Sequence, residues 1–226
     1  MPRALPRPIT YLITSGETGR GDAGVESARL LALVERAVAA RVTLVQLREK
    51  GLSALALYEL AAGAARVARG SATRVLVNDR ADVARASGCD GVHLTTRSLE
   101  ARVVRRAFGE EFLIGVSAHA LAEARAARDG GADFAVFGPV FDTPSKRGYG
   151  PPVGLEALRE AARQLAPFPL VALGGVTGDN APSALGAAAA GVAAIRLFAD
   201  PSRLAQNVRG IMQAWSSTSS KPRPSR

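Results

Sequence analysis

The chain has little of several things. One cysteine, Cys89, stands among 226 residues, so no disulfide can close within the chain, which fits a reducing, cytoplasmic setting. Hydrophobic residues make up 47% of the sequence, yet no uncharged apolar run reaches the roughly 18 residues a spanning helix needs. No membrane association is expected. The opening MPRALPRP has Arg and Pro where a secretory signal would carry its apolar core. Aromatic residues are only 5%, with one Trp, which provides no platform for stacking bases. Acids are missing from both Pro/Ser-rich tails, where Arg3, Arg7, Lys221, Arg223 and Arg226 supply five of the nine formal positive charges. The body holds only the remaining four or so. Without a recognisable basic helix the charge points to anionic small molecules and not to nucleic acid.

What is present is an alternation. Short β-branched or apolar runs, ITYLIT (9–14), VTLVQL (42–47), TRVLVN (73–78), DGVHL (90–94), FLIGVS (112–117), DFAVFG (133–138), FPLVALGG (168–175) and GVAAIRLF (191–198), are separated by Ala/Leu/Arg/Glu-rich segments of helical period. Segments such as ESARLLALVERAVAA and ALALYELAAGAARVA space their apolar residues three and four apart, as helices covering a sheet do. Eight βα units predict a single α/β domain, a (β/α)8 TIM barrel over 9–215. A tail precedes it over 1–8, and a disordered basic tail is expected over 216–226. An open doubly wound sheet is the competing architecture, and the lack of Gly-x-Gly-x-x-Gly after the first strand counts against it.

In such a barrel the chemistry gathers where strands end and βα loops begin. The expected strand ends carry Gln46, Arg48 and Lys50; Asn78 and Asp79; Ser117 and His119; and Gly174 with Gly175. Strand 6 opens into GPVFDTPSKRGYGPPVG, which holds Thr143, Ser145, Lys146 and Arg147 and reads as a phosphate-binding lid. Blander readings exist for several of these. Asn78 and Asp79 are good helix caps, His119 fits the start of a helix, and His93 fits a satisfied histidine inside the barrel. As a set, Arg48, Lys50, Lys146 and Arg147 could surround a diphosphate, with Asp79 holding a bridging Mg2+. A second phosphate could rest on Gly174, Gly175 and the start of the last helix, near Arg196. Two anion sites at one mouth suggest a reaction joining two phosphorylated molecules.

QLREK, VNDRADVA, CDGVHL, IGVSAH, VFGPVFDTPSK and LVALGGV, in this order over about residues 10 to 200, resemble the thiamine-phosphate synthase family, which includes the related thiazole tautomerases. The resemblance implies a (β/α)8 barrel and a condensation in which hydroxymethylpyrimidine diphosphate loses diphosphate and a thiazole phosphate nitrogen takes its methylene. It implies that Gln46, Arg48 and Lys50 contact the pyrimidine substrate and its diphosphate, Asn78 the diphosphate, and Asp79 the Mg2+. Ser117 and Lys146 would reach the diphosphate. Thr143, Ser145 and Gly175 would hold the thiazole phosphate, with Gly174 beside them. The partners are then phosphorylated pyrimidine and thiazole small molecules, and the oligomeric state stays open, a homo-oligomer included.

One departure stands out. After DGVHL the synthases usually continue Gly-Gln-x-Asp, whose acid is a second Mg2+ ligand, whereas this chain reads Thr95, Thr96, Arg97, Ser98. Mg2+ is expected to bind weakly without that carboxylate and beside Arg97. The replacement is similar to the tautomerase branch, where His119 would move a proton on carboxythiazole phosphate without a metal. A non-catalytic phosphate-binding relative is the third alternative. Retained Lys50, Asn78 and Asp79 favour the synthase, because a tautomerase has less use for a diphosphate cradle.

Overall fold

The computed structural model of the protein describes residues 5–16, 23–143 and 151–219. Eight parallel strands close on themselves in sequence order: β1 (Ile9–Ile13), β2 (Leu44–Leu47), β3 (Arg74–Asn78), β4 (Gly91–Leu94), β5 (Leu113–Ala118), β6 (Phe134–Phe137), β7 (Leu170–Ala172) and β8 (Gly191–Ala194). β8 pairs back onto β1, with Tyr11 beside Ala193. The helices between them are α1 (Ala23–Ala39), α2 (Ala54–Ala68), α3 (Ala81–Ala86), α4 (Ala101–Phe108), α5 (Leu121–Asp129), α6 (Gly154–Leu165), α7 (Ala181–Gly186) and α8 (Arg196–Ala199), and α9 (Leu204–Ser219) follows. The (β/α)8 barrel read from the sequence is the fold. Among the described residues no helix is long and apolar enough to cross a membrane.

Two cores result from the two-residue period of the strands. Side chains of one phase, among them Ile9, Tyr11, Ile13, Leu44, Leu76, Leu113, Phe134, Val136 and Val171, fill the barrel. The other phase, including Leu12, Val45, Val75, Val77, Val92, Ile114 and Ala135, packs outward against Leu30, Val34, Leu60, Val104, Leu158 and Leu185 of the helices. Both faces of every strand are therefore buried, which is why the strands read as unbroken apolar runs and not as an alternation.

A repeated clasp ties the amino-terminal side together. Asp90, just before β4, accepts from Val75 N at 2.8 Å, and Asp133, just before β6, accepts from Ile114 N at 2.7 Å. Each acid also meets an arginine: Arg74 at 3.2 Å and Arg105 at 2.8 Å. Burial raises the Asp133 carboxyl above its usual range, against the lowering effects of the Ile114 N–H and the Arg105 guanidinium.

Two expected boundaries move. The apolar run 191–198 is not one strand: β8 ends at Ala194 and Arg196–Ala199 turn as α8, an ambiguity that short apolar runs carry by nature. At the far end α9 continues to Ser219, beyond residue 215, with Ser216 and Ser217 hydroxyls donating to the carbonyls of Met212 and Gln213. Such bonds give the hydroxyls partners on their own helix and do not extend it by themselves.

Candidate active site

The inward phase of the strands changes character toward their carboxyl ends. Below, it is Leu44, Leu76 and Leu113; two residues further on in β2 and β3 it becomes Gln46 and Asn78, and four further on in β5, past Gly115, it becomes Ser117, with His93 of β4 between Asn78 and Ser117. The registers pair Asn78 with His93, while Gln46 lies beside Leu76 and His93 beside Gly115, so Asn78 and Ser117 each stand one inward position above their neighbour strand's partner. The result is a polar arc over β2 to β5 just inside the mouth.

Within the arc, Gln46 Nε2 donates to Asn78 Oδ1 at 2.9 Å. Gln46 is 2% exposed, and its Oε1 is a buried acceptor without a partner among the described residues. Such an orphan is costly unless a ligand satisfies it. Asn78 has spent its oxygen on Gln46, so its Nδ2 is left as a donor. Further round, His93 Nδ1 lies 3.2 Å from Tyr11 Oη, and His93 Nε2 lies 2.9 Å from Ser117 Oγ. Burial lowers the His93 pKa to about 3 and pushes the Tyr11 phenol well up, so both are neutral. Gly115 makes room for this cluster: a Cβ there would lie 2.4 Å from Phe134 Cζ and 2.9 Å from His93 Nδ1.

Above the arc lie the exits of the strands. Arg48 is anchored by its backbone N–H to Thr14 Oγ1 at 2.8 Å, and its guanidinium reaches Ser15 O at 3.4 Å. Buried Glu49 between the two cations accepts from Gly16 N at 3.3 Å, tying the first loop to the second. Lys50 is exposed. Asp79 is exposed with φ +61, a left-handed conformation that Asp tolerates, and its N–H donates to His93 O at 2.9 Å. Neither Asn78 nor Asp79 caps a helix: α3 starts after Arg80 with no side-chain cap. His119 does not cap α5 either. Its Nδ1 meets Gly138 O, and its backbone N donates to Glu123 at 2.6 Å.

On the other side of the mouth, Gly174 and Gly175 have φ +95 and +63, and a Cβ on Gly175 would lie 2.4 Å from Asp142 O. Only glycine fits there, and the approach lets Phe141 N donate to Gly174 O at 3.0 Å, so the strand-6 loop lies on the glycine turn. Asn180 Nδ2 holds Gly175 O at 2.8 Å. Thr143 is half-buried at the last described position of that loop. Ser145, Lys146 and Arg147 lie outside the described residues. Arg196 is exposed on the four-residue α8, which is not the last helix as expected, since α9 follows.

Ser98 closes a turn. Its Oγ accepts from Thr95 N at 2.7 Å and lies 3.0 Å from Thr95 Oγ1. Among the described residues no group of three or more His, Cys, Asp or Glu could hold a metal by itself.

A sequence profile described as thiamine monophosphate synthase matches residues 10–198. The chain belongs to the thiamine monophosphate synthase family. It is 48% identical over 192 residues to a putative thiamine-phosphate synthase of Geobacter sulfurreducens, covering 84% of this chain and 87% of that one. It is 37% identical to the thiamine-phosphate synthase of Moorella thermoacetica, covering 92% and 97%. Among solved structures, thiamine phosphate pyrophosphorylase from Pyrococcus furiosus superposes with a TM-score of 0.77 at 26% identity over 93% of this chain and 96% of that one. These relatives favour the synthase over the tautomerase and the non-catalytic alternative.

Tyr11 was not singled out in the sequence, and His93 was read only as a satisfied histidine inside the barrel, which its two ring contacts bear out. Both sit inside apolar strands, and only counting the inward phase, Tyr11, Gln46, Asn78, His93, Ser117, would have aligned them with the site. Glu49 was visible as a lone acid in QLREKG, but its burial was not.

Proposed function

We propose that this member of the family is a transferase that condenses hydroxymethylpyrimidine diphosphate with thiazole phosphate to give thiamine phosphate and diphosphate. The observation that carries the reading is the Gln46–Asn78 pair. It leaves one buried acceptor, Gln46 Oε1, and one donor, Asn78 Nδ2, at adjacent points of the mouth. An aminopyrimidine has an amine to give the first, and a diphosphate has oxygens to take the second. Arg48 and Lys50 stand above them as cations, with Lys146 and Ser145 assigned to the same mouth by sequence.

The chemistry asks little covalent work of the protein. The bond from the pyrimidine methylene to the diphosphate oxygen breaks, and the diphosphate leaves with the electron pair. The thiazole nitrogen then forms the new C–N bond with its own lone pair. Arg48, Lys50, Asn78 and Ser117 stabilise the charge growing on the departing oxygens. Thr143, Gly174 and Gly175 seat the thiazole phosphate so that its nitrogen faces the methylene.

Mg2+ is assigned to Asp79. The donor set fits an ion carried largely by the substrate, since Mg2+ is usually held by one or two carboxylates together with substrate phosphates. When bound, it neutralises charge on the diphosphate. His119 has its Nδ1 on Gly138 O, which leaves Nε2 as the ring atom open to a ligand; the condensation itself asks no proton transfer of it. The reading is tested by supplying both substrates with Mg2+ to the purified protein. Thiamine phosphate and diphosphate are expected in equal amounts, and their absence at saturating Mg2+ refutes it.

A further inference from the structure

The arc contains a chain of hydrogen bonds that runs away from the mouth into the barrel interior, from Ser117 to His93 to Tyr11. We propose that Tyr11 and His93 are positioning residues that fix the Ser117 hydroxyl as a hydrogen-bond donor toward the diphosphate. This rests on the reading of Ser117 as a diphosphate contact.

The direction of the chain follows from proton counting. Tyr11 is wholly buried among apolar neighbours, and among the described residues the partner of its hydroxyl is His93 Nδ1, at 3.2 Å. A buried O–H with no acceptor is strongly disfavoured. The phenol therefore donates, and Nδ1 accepts. A neutral imidazole has one N–H, which must then sit on Nε2, 2.9 Å from Ser117 Oγ. Nε2–H donates to that oxygen, and the hydroxyl hydrogen of Ser117 is left over for the mouth.

The opposite direction fails at both ends. If Ser117 donated to Nε2, Nδ1–H would point at the phenol oxygen and the phenol hydrogen would be stranded in the core. Ser117 would also present a lone pair to an anion. Packing favours the observed ring placement: Phe134 lies edge-on to Tyr11 with centroids 5.6 Å apart, and His93 Nδ1 lies over Gly115, where a Cβ would come within 2.9 Å of it. The phenol at the middle of β1 thus sets the polarity of a hydroxyl on β5.

The test is a double-mutant cycle of Tyr11→Phe and Ser117→Ala, read as kcat/KM, with 15N spectra of the imidazoles; the chain has only two histidines to assign. Each single variant is expected to lose about tenfold, the scale of a hydrogen bond to a charged group. In the Ser117→Ala background, Tyr11→Phe should cost nothing further, which a merely structural role would not produce. The wild-type spectrum should show the His93 proton on Nε2, and Tyr11→Phe should mix the tautomers. Full additivity, or an intact Tyr11→Phe beside an impaired Ser117→Ala, overturns the relay and leaves the proposed reaction standing. An unimpaired Ser117→Ala removes the diphosphate contact and the relay with it. A wild-type His93 protonated on Nδ1 overturns the relay whatever the variants do.

Discussion

Asn78 illustrates how a single atom can decide what a mouth binds. Its oxygen is taken by Gln46 Nε2 at 2.9 Å, so the face it shows a ligand is an amide N–H2. Asn78→Asp keeps the acceptor for Gln46 and replaces the donor by a second, charged oxygen. A loss of at least about tenfold in kcat/KM is expected, with an unchanged unfolding midpoint; a midpoint that falls in step with activity would assign Asn78 to the fold instead. His93 carries a pH prediction. Its folded pKa of about 3 lies below the ordinary 6.5 because burial disfavours the cation. Between those values the unfolded chain binds more protons than the native one, so stability is fully present above about 6.5 and falls as the pH drops toward 3. Each unit within the window costs up to about 1.4 kcal/mol. Urea unfolding from pH 7 to pH 4 should show this slope in the wild type and a shallower one in His93→Gln.

At the scale of the element, loops are positioned by strand ends and differ in how much of that the sequence reveals. Most of the strand ends could be read from apolar runs closed by polar residues or glycine, because a strand buried on both faces leaves a continuous apolar run. The eighth overran into α8, where Ile195, Leu197 and Phe198 continue the apolar composition while the backbone changes. Gln46, Asn78 and Ser117 were legible as strand-end polar groups, whereas the bonds joining them depend on barrel closure and registers that no local pattern contains. The same limit hid the Asp133–Arg105 clasp, whose partners are 28 residues apart. Arg105 is 13% exposed and Asp133 3%, so Arg105→Met should cost roughly 3 kcal/mol by leaving a buried carboxylate unpaired. The deficit should shrink in acid: burial already raises the Asp133 pKa, and the native variant takes up that proton more readily than the unfolded chain. A pH-independent deficit would assign the loss to packing of the arginine stem.

The 95–98 turn belongs to the same scale. Ser98 accepts from Thr95 N at 2.7 Å, and an aspartate can close the same turn with one oxygen and leave the other free. Ser98→Asp is therefore expected to fold normally and to lower the Mg2+ concentration for half-maximal rate by about tenfold, by adding a second carboxylate. An unchanged Mg2+ dependence would mean that position 98 does not face the ion.

For the whole molecule, closure of the sheet is what turns scattered motifs into a site. Thr14 follows β1, the Gln46–Lys50 stretch ends β2, Asn78 and Asp79 end β3, Ser117 lies near the end of β5 and the glycine pair follows β7, and a ring of strands brings these ends to one opening. The central claim is that the arc inside this mouth seats the pyrimidine diphosphate. A crystal structure of the protein with hydroxymethylpyrimidine diphosphate and Mg2+ measures it directly. The ring amine should lie within hydrogen-bond distance of Gln46 Oε1, with diphosphate oxygens on Asn78 Nδ2, Ser117 Oγ and Arg48. A ligand bound elsewhere, with Gln46 Oε1 still unpaired, would contradict the account.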